Sequence, residues 1–385
     1  MTQAPRPPHL LHVFPTFCPA GPQVRTVTLM HGWGASYRHT IVACDNRTEA
    51  SELVSVAGGT GGAGGVEVTY RRFAPGSGPM SAVRFFRDLI TEVKPDVLAT
   101  YNWGAMDAVL AAKSMGFGAH VHHEDGFNAD ETKGLKGRRN WTRRISLRSS
   151  EIIVPSAKLE GIALKTWRLP RVHLIPNGVD AELFARDGAK GTAFRERFDI
   201  PRDAFVIGTV GHLRPVKNFG RLIRAAARAK FPDGLRPHVV IVGDGAERAR
   251  LEAVASECAD RIRVTFTGHT SDLVPAYSAF DVFSLSSDSE QQPVSLLEAM
   301  AAEVPVASTN VGDIARTLPS EARVHVVPLG TSVETALGDA FSALAASKPK
   351  RTELARLGLE RVREEYSHGA MIDAYGEVFS SVLGS

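Results

Sequence analysis

Long apolar runs, cysteines and an excess of charge of one sign are all scarce in this sequence. No hydrophobic stretch approaches the roughly 20 residues that a membrane-spanning helix needs, so we expect no such helix. Cys18, Cys44 and Cys258 are odd in number and widely spaced, which is typical of reduced thiols rather than a disulfide framework or a zinc site. A net charge of +3 is too small to indicate nucleic-acid binding. The first residues lack a long apolar core, so we expect no signal peptide and a cytoplasmic location.

Strand-like runs alternate with helical patterns along the chain. The 385 residues exceed one ordinary hydrophobic core, which predicts two domains. Strands are predicted at 10–14, 39–43, 97–100, 119–123, 152–155, 172–176, 205–210, 239–242, 264–266 and 323–327, and helices at 81–93, 221–229, 246–255, 333–345 and 353–366. This alternation predicts parallel sheets, and the turn signal at Asn177-Gly178 marks a boundary. We expect α/β domains at 1–176 and 177–366, followed by a terminal helix at 367–385.

The stretch from Ser286 to Asn310 combines two carboxylates with a predicted helix start. Glu290 and Glu298 lie on either side of Pro293, a residue type favoured at the first helical position. A helix N-terminus offers unpaired backbone N–H groups and a positive dipole end, which suit a diphosphate. Carboxylates accept hydrogen bonds from sugar hydroxyls. The stretch therefore indicates a site for phosphate and polyhydroxyl groups, although a solvated helix end has a similar composition.

The segment GTVGHLRPVKN, residues 208–218, places two cations just beyond a predicted strand. The guanidinium fork of Arg214 and the compact ammonium of Lys217 can both bind a diphosphate. Two such cations stabilise the negative charge that a leaving diphosphate gains, so we expect no metal ion or other cofactor. Gly243 and Gly268 lie at two further strand-to-helix turns, which could surround a nucleobase and its ribose.

Gly21 lies at the first predicted strand-to-helix turn. Pro22 can start the helix that follows, and Val24, Val27 and Leu29 are then available for burial. The glycine run at 58–66 does not fit a phosphate loop, because it is followed by a strand-like Val-Glu-Val instead of Lys and Ser or Thr. We interpret this run as a surface connection.

The polar cluster HHEDGFNADE begins where the strand 119–123 ends. In open α/β sheets ligands bind beyond the carboxyl ends of strands, so His122, His123, Glu124 and Asp125 lie where a substrate could bind. Histidine can hydrogen-bond hydroxyl groups or exchange a proton near neutral pH. A metal site is the rival interpretation, but these residues are more closely bunched than a zinc pattern. A polar surface loop is the third interpretation of this cluster.

A basic segment runs from Lys133 to Arg148 without an acidic residue. Its cations are Lys133, Lys136, Arg138, Arg139, Arg143, Arg144 and Arg148, and its apolar residues Trp141, Ile145 and Leu147 could face the protein or an interface. A basic amphipathic helix with a tryptophan is attracted to an anionic bilayer or to a lipid diphosphate. A solvated surface has the same pattern, so peripheral contact with the inner face of a membrane stays a hypothesis.

The ordered set of motifs resembles the retaining glycosyltransferases of family 4. The motifs are the turn at Gly21, the H-x-E cluster at 122–124, IPNGVD at 175–180, G-x-L-R-x-x-K-N at 211–218, VGDG at 242–245, F-x-G-x-x-x-D at 266–272 and E-x7-E followed by EAMA at 290–301. The resemblance implies the GT-B fold, in which two Rossmann-like doubly wound domains face each other across a cleft. The terminal helix would cross back to the N-terminal domain.

The resemblance also implies roles for individual residues. Glu290 would contact the donor sugar, Glu298 the ribose, and Arg214 and Lys217 the diphosphate, while His122 would face the reacting sugar. The implied catalytic residues are thus His122, Arg214, Lys217 and Glu290, and the acceptor-side residues are His123, Glu124 and Asp125. The implied donor-binding residues are Gly21, Gly211, Arg214, Lys217, Gly243, Gly268, Glu290, Gln291, Gln292, Val294, Ser295, Leu296 and Glu298.

The expected activity is metal-independent transfer of a hexose, with retention, from a nucleoside-diphosphate sugar to a saccharide or lipid-linked acceptor in polysaccharide or glycolipid biosynthesis. A nucleotide-sugar epimerase and a non-catalytic nucleotide-sugar binding protein are the alternatives. The sequence departs from the family at two places. Gln291 and Gln292 stand where the family often has Gly and Phe, in the pattern E-G-F-G, so we expect longer polar side chains in the sugar pocket. Pro22, which has no N–H, follows Gly21 where a second glycine is common.

Overall fold

The chain folds into two compact units. A computed structural model describes residues 6–56, 65–78, 80–126, 136–233 and 235–384, with the side chains of 55 and 56 excepted. The first unit comprises Met1–Asn177 together with His368–Ser385, and the second comprises Gly178–Ser367. The predictions for Lys133, for most of the glycine run and for residues 127–131 of the polar cluster concern positions outside the described residues.

The first unit contains a parallel sheet. Its strands are β1 (His9–Phe14), β2 (Arg38–Ala43), β3 (Glu67–Arg72), β4 (Val97–Tyr101), β5 (His120–His123), β6 (Glu151–Val154) and β7 (Val172–Leu174). Its helices up to the boundary are α1 (Gly21–Trp33), α2 (Ser51–Val56), α3 (Ser81–Val93), α4 (Met106–Ser114), α5 (Gly137–Ser146) and α6 (Ala157–Lys165). The strands are ordered β3-β2-β1-β4-β5-β6-β7, and every pair is parallel.

The second unit repeats this architecture. Its strands are β8 (Ala204–Val210), β9 (Arg236–Val242), β10 (Arg263–Gly268), β11 (Val282–Leu285), β12 (Val306–Thr309) and β13 (Val326–Val327). Its helices are α7 (Gly188–Arg197), α8 (Phe219–Arg228), α9 (Arg248–Glu257), α10 (Val274–Ala279), α11 (Val294–Ala301), α12 (Ile314–Thr317), α13 (Val333–Ala346) and α14 (Lys348–Glu365). The parallel order β10-β9-β8-β11-β12-β13 is that of a doubly wound Rossmann-like sheet.

The terminal helix α15 (His368–Leu383) belongs to the first unit. Met371, Tyr375, Val378 and Phe379 are buried in the same hydrophobic cluster as Leu10 of β1. These positions repeat every three to four residues, so one face of the helix is apolar and packs on the sheet. Two doubly wound parallel-sheet domains were expected from the sequence, and the structure confirms them.

The strand order places a switch point in each sheet. In the first unit the chain leaves β1 in one direction and returns at β4 on its other side, and in the second unit β8 and β11 have the same relation. The connections from neighbouring strands diverge at such a point, which leaves a crevice beyond the carboxyl ends of the strands. The segments after β8 and β11 are those that carry Lys217 and Glu290.

Several sequence-based details are wrong. Val24, expected to be buried, is 42% exposed on α1. The strand expected at 323–327 is mostly a 3-10 helix, Ser320–His325, and only Val326–Val327 pairs with β12. A strand at a sheet edge has a single partner, so alternation in its sequence determines its conformation weakly. Pro293, expected within the first helical turn, is instead the N-cap of α11.

Candidate functional site

Three strand-to-helix turns of the second unit are joined by backbone hydrogen bonds. Gly211 N donates to Val242 O (2.9 Å), and Gly243 N donates to Gly268 O (2.9 Å). Gly243 has a φ of +137°, and a Cβ there would lie 2.1 Å from Gly211 O, so only glycine fits. The turns predicted to surround a nucleotide therefore lie side by side at the carboxyl ends of β8, β9 and β10.

Lys217 and Glu290 meet at the switch point of the second unit. Lys217 ends a short 3-10 turn after β8, and its Nζ lies 2.6 Å from Glu290 Oε1. Ser287 Oγ donates to the same carboxylate oxygen at 2.6 Å. The Lys217 side chain is 22% exposed and that of Glu290 is 11% exposed. Arg214, three residues before Lys217, is exposed. The structure thus brings together the cation predicted to bind phosphate and the carboxylate predicted to bind hydroxyl groups.

Glu298, a residue of α11, is hydrogen-bonded to a tyrosine that the sequence analysis did not predict. Tyr277 OH donates to Glu298 Oε2 at 2.6 Å, and the tyrosine ring is fully buried. Burial raises the pKa of the Glu298 carboxyl, against the opposing effect of the hydrogen bond from Tyr277. Val294, Ser295 and Leu296 form the first turn of the helix, whose backbone N–H groups point away from its C-terminus.

The loop between Glu290 and α11 is fixed by the turn after β12. Asp313 N donates to Gln291 O at 2.8 Å. Gly312 has a φ of +58°, and a Cβ on it would lie 2.3 Å from Gln291 O and 2.5 Å from Glu290 O. Gln292 is buried, with an exposed fraction of 6%. Because the backbone is so closely packed, the conformation of this loop depends on a glycine 22 residues after Glu290.

His122 is part of a buried hydrogen-bonded chain at the end of β5. Thr100 Oγ1 lies 2.7 Å from His122 Nδ1 and 2.8 Å from His120 Nε2, and His120 Nδ1 lies 2.7 Å from Ser150 Oγ. His122 Nε2 faces Glu124 Oε2 at 3.6 Å, just beyond hydrogen-bond distance. His122 and His123 are 0% and 1% exposed, so the polar surface loop considered above is wrong for these residues.

Glu124 forms a buried ion pair with Arg143. Arg143 Nε lies 2.9 Å from Glu124 Oε2, and Arg143 Nη2 lies 3.2 Å from Glu124 Oε1. Both side chains are 0% exposed. The guanidinium also stacks on Trp103 at 5.1 Å and Trp167 at 4.8 Å. Burial alone would raise the pKa of Glu124, but His122 and Arg143 together lower it. Arg143, expected on a basic surface, is therefore a core residue.

Asp125 is bound by a second buried arginine. Arg25 on α1 contacts both carboxylate oxygens, at 2.6 and 3.0 Å, and also donates to Asn177 Oδ1 at 3.1 Å. Asp125 N donates to Asn102 Oδ1 at 2.7 Å, which fixes the backbone after β5. Direct contact of Glu124 or Asp125 with an acceptor stays a prediction, and it requires each carboxylate to exchange or share its arginine.

Gly21 is the first residue of α1 and lies at the surface. No atom of the described chain lies within 4 Å of a Cβ built on it. Its predicted contact with a diphosphate therefore has no steric competitor within the described residues. Packing against the described residues therefore does not require glycine at this position.

The described ranges of the chain contain no cluster of side chains placed to bind a metal ion. There, no three His, Cys, Asp or Glu side chains are placed to hold an ion together. Separately, none of the described helices combines the length and apolar character needed to span a membrane.

Both halves of the chain match families of glycosyltransferases. Residues 19–183 match the family described as Glycosyltransferase Family 4. Residues 191–355 match the family described as Glycosyl transferases group 1. The second match contains Lys217, Glu290 and Glu298, and the first contains His122.

Two named glycosyltransferases have sequences similar to this chain, one over most of its length and the other over about half. EpsF of Bacillus subtilis strain 168, named as a glycosyltransferase, is 29% identical over 325 residues, which are 78% of this chain and 79% of EpsF. The lipopolysaccharide core biosynthesis glycosyltransferase LpsE of Rhizobium meliloti is 31% identical over 187 residues. That match covers 49% of this chain and 50% of LpsE, so the chain spans about half the length of this relative.

The same architecture occurs in a solved structure. Anabaena HepE in complex with UDP superposes with a TM-score of 0.78 over 97% of this chain and 100% of HepE, at 16% identity. Identity this low shows the fold alone. Two parallel-sheet units, the two family matches and this likeness agree, and the chain therefore belongs to the group 1 glycosyltransferases of family 4 and has the GT-B fold.

Proposed function

We propose that this glycosyltransferase moves a hexose from a nucleoside-diphosphate sugar to an acceptor hydroxyl, with retention at the anomeric carbon and without a metal ion. The observation that carries the proposal is the contact of 2.6 Å between Lys217 Nζ and Glu290 Oε1 at the switch point of the second unit. A cation and a carboxylate at this spacing match a ligand in which a phosphate is bonded directly to a sugar. The complex of HepE with UDP supports a uridine nucleotide as one candidate.

In the proposed reaction the bond from the anomeric carbon to the diphosphate oxygen breaks as the acceptor hydroxyl oxygen bonds to that carbon from the same face. The diphosphate leaves with the bonding electron pair and its added negative charge, and takes up the hydroxyl proton. Lys217 and the exposed Arg214 stabilise that charge, and the N-terminal turn of α11 adds its unpaired N–H groups. Glu290 accepts hydrogen bonds from the sugar, and Glu298 accepts them from the ribose. Gln291 and Gln292 lie beside Glu290 and would influence which sugar is accepted.

Donor binding has to replace the ion pair between Lys217 and Glu290. The diphosphate would take the ammonium, and the sugar hydroxyls would take the carboxylate. Ser287 Oγ already donates to Glu290 Oε1, so the carboxylate keeps one hydrogen bond during this exchange. The free protein therefore holds both groups in a satisfied, ordered state, which reduces the entropy that binding must remove.

The proposal assigns the acceptor to the first unit. His122 would meet the reacting sugar through Nε2, which lies 3.6 Å from the Glu124 carboxylate, while Thr100 fixes the ring through Nδ1. His123 would lie on the acceptor side. Burial keeps the pKa of His123 well below its ordinary value, so the imidazole is neutral and can accept a hydrogen bond from a hydroxyl group.

A panel of UDP-, GDP- and ADP-sugars tests the activity. Thermal shift with each donor should identify one nucleotide, because a bound ligand stabilises the folded state by an amount that grows with the logarithm of its concentration. Transfer to saccharide or lipid-linked acceptors should then follow with that donor. Epimerised donor without an acceptor would favour the epimerase, and tight binding without turnover would favour a non-catalytic binding protein.

Removal of metal ions should leave the transfer rate unchanged. Lys217, Arg214 and the helix N-terminus supply the positive charge that a divalent ion would otherwise bring to the diphosphate. The measurement is the initial rate with saturating donor before and after dialysis against EDTA. A rate that falls at least tenfold and returns with added magnesium or manganese would contradict the metal-independent reaction.

We also propose that the protein works at the inner face of the membrane in polysaccharide or glycolipid biosynthesis. On α5, Trp141 is 66% exposed and Ile145 is 40% exposed, one helical turn apart. Arg138 and Arg148 are exposed at the two ends of this face, while Leu147 is buried. Apolar side chains flanked by arginines fit the boundary between anionic headgroups and acyl chains.

Sedimentation with vesicles containing anionic phospholipid tests this contact. Each basic residue near such a surface contributes about 1 kcal/mol, so a variant with Arg138, Arg144 and Arg148 changed to Gln should partition about 100-fold more weakly. Trp141→Ser should also weaken binding, whereas Leu183→Ser, which alters a residue of the second unit that is 62% exposed, should not. Equal sedimentation of wild type and the triple variant would refute the proposal.

A further inference from the structure

Two loops of the second unit, which carry Lys217 and Glu290, are joined by hydrogen bonds close to these residues. Ser286 Oγ lies 3.0 Å from both Lys217 O and Asn218 O, and Asp288 N donates to Val216 O at 2.8 Å. One loop follows β8 and the other follows β11, so these bonds cross the switch point of the sheet. Residues 216–218 and 286–288 are therefore hydrogen-bonded to each other, and we call this contact the loop junction.

Arg221 completes this junction with its side chain. It lies in the first turn of α8, and its two terminal nitrogens donate to Ser286 O at 2.7 Å and to Asp288 Oδ1 at 2.6 Å. Asn218 Nδ2 reaches Asp288 Oδ2 at 3.2 Å. The Arg221 side chain is only 13% exposed, although it carries a full charge. A rigid guanidinium fork can hold a carbonyl and a carboxylate at once, which a single ammonium cannot.

The loop junction lies next to both Lys217 and Glu290, whose separation matters for the proposed chemistry. Lys217 stands one residue before Asn218 on one loop, and Glu290 stands two residues after Asp288 on the other. If Lys217 holds the diphosphate and Glu290 holds the sugar, the bond that breaks lies between them. A displacement of about 1 Å between groups that hold a reacting bond can cost about 100-fold in rate.

We propose that Arg221, acting through Asp288 and the Ser286 carbonyl, is a positioning residue that sets Lys217 against Glu290. This proposal rests on the proposed function for its effect on rate, but the geometry that it asserts can be tested without any substrate. The competing explanation is that Arg221 merely stabilises the fold, as an ion pair on any helix could.

A matched control lies on the same helix. Arg224 Nε makes a 2.6 Å ion pair with Glu334 Oε1 of α13, with side chains that are 34% and 23% exposed. This pair lies three residues from Arg221 and has no contact with residues 286–290 among the hydrogen bonds of the described chain. Arg224→Gln therefore removes the same chemical group from α8 without opening the loop junction.

The first measurement is acylation of Lys217 by an amine-reactive reagent, followed by peptide mass spectrometry on the free protein. An ammonium held by Glu290 reacts slowly, so loosening the junction should raise the labelling rate of Lys217 at least threefold in Arg221→Gln and Asp288→Asn. Arg221→Lys should give an intermediate rate. Labelling in Arg224→Gln should equal that of wild type. Unchanged labelling in Arg221→Gln would overturn the proposal, whatever reaction the protein catalyses.

The second measurement is kcat and the donor KM, with the melting temperature recorded for each variant. Arg221→Gln should lower kcat by about 10- to 100-fold, partly restored in Arg221→Lys, while Arg224→Gln keeps the wild-type kcat. If both glutamine variants lower the melting temperature alike and leave kcat unchanged, Arg221 is only structural and the proposal fails. Wild-type protein that transfers no sugar at all would refute the proposed function instead, and the labelling result would still decide the geometry.

Discussion

Changing Lys217 to Ala is expected to lower kcat for sugar transfer by about two to three orders of magnitude. In the proposed reaction the lysine supplies positive charge where the leaving diphosphate gains negative charge, and removal of one such preorganised group typically costs that much. Its ammonium lies 2.6 Å from Glu290 and is only 22% exposed, so water screens it less than it would a surface lysine. The measurement is the initial rate at saturating donor and acceptor.

A control separates this loss from a loss of stability. Lys350→Ala removes another ion-paired lysine of the second unit, whose Nζ lies 3.0 Å from Glu353 Oε2 at an exposed helix surface. That variant should keep the wild-type rate. Glu290→Gln should be impaired as strongly as Lys217→Ala while far-UV circular dichroism stays unchanged. Wild-type turnover in both Lys217→Ala and Glu290→Gln would overturn the site.

The pairing of Lys217 with Glu290 follows largely from local sequence. Each residue comes shortly after an apolar run that becomes a parallel strand, β8 or β11, and the carboxyl ends of neighbouring parallel strands lie at the same edge. Strand position and chain direction are encoded by hydrophobic pattern, so two residues 73 positions apart could be predicted at one site.

The groups that support the site were not predicted, because each depends on a distant side chain. Tyr277 meets Glu298 across 21 positions, and Arg221 meets Asp288 across 67. Neither residue belongs to a local pattern that distinguishes it from a core tyrosine or a solvated arginine. Only the packing of α10 beside α11, and of α8 against the loop that follows β11, defines these contacts.

Arg143 shows how a local charge pattern can mislead. A run of like charges favours a solvated face, yet Arg143 is 0% exposed. The signal that could have located it lies 19 positions earlier, where Glu124 directly follows the buried strand β5. A carboxylate at the buried end of a strand needs a cation or a set of donors, because an unpaired buried charge is costly. The basic segment that begins at Lys133 and continues into α5 is a nearby source of such a cation in the sequence.

Changing Arg143 to Met is therefore expected to destabilise the first unit by about 3–5 kcal/mol. Loss of one partner leaves the Glu124 carboxylate buried without compensation, which is the costly case for a buried ion pair. Trp33, Trp103, Trp141 and Trp167 are the four tryptophans of the chain, and all lie in the first unit. Tryptophan fluorescence during urea unfolding thus reports on this unit specifically. Arg144→Met, which alters the neighbouring and more exposed arginine, should change its free energy of unfolding by well under 1 kcal/mol.

The double variant Arg143→Met, Glu124→Gln distinguishes an unpaired charge from a packing defect. If the uncompensated carboxylate dominates, the second change removes it and should recover a large part of the lost stability, since a neutral amide costs less to bury. No recovery would mean that stacking of Arg143 between Trp103 and Trp167 carries the stability instead. Transfer assays on Glu124→Gln then address its predicted place on the acceptor side. A raised acceptor KM at unchanged stability would indicate contact with the acceptor, whereas parallel loss of stability and activity would make Glu124 a residue of the core.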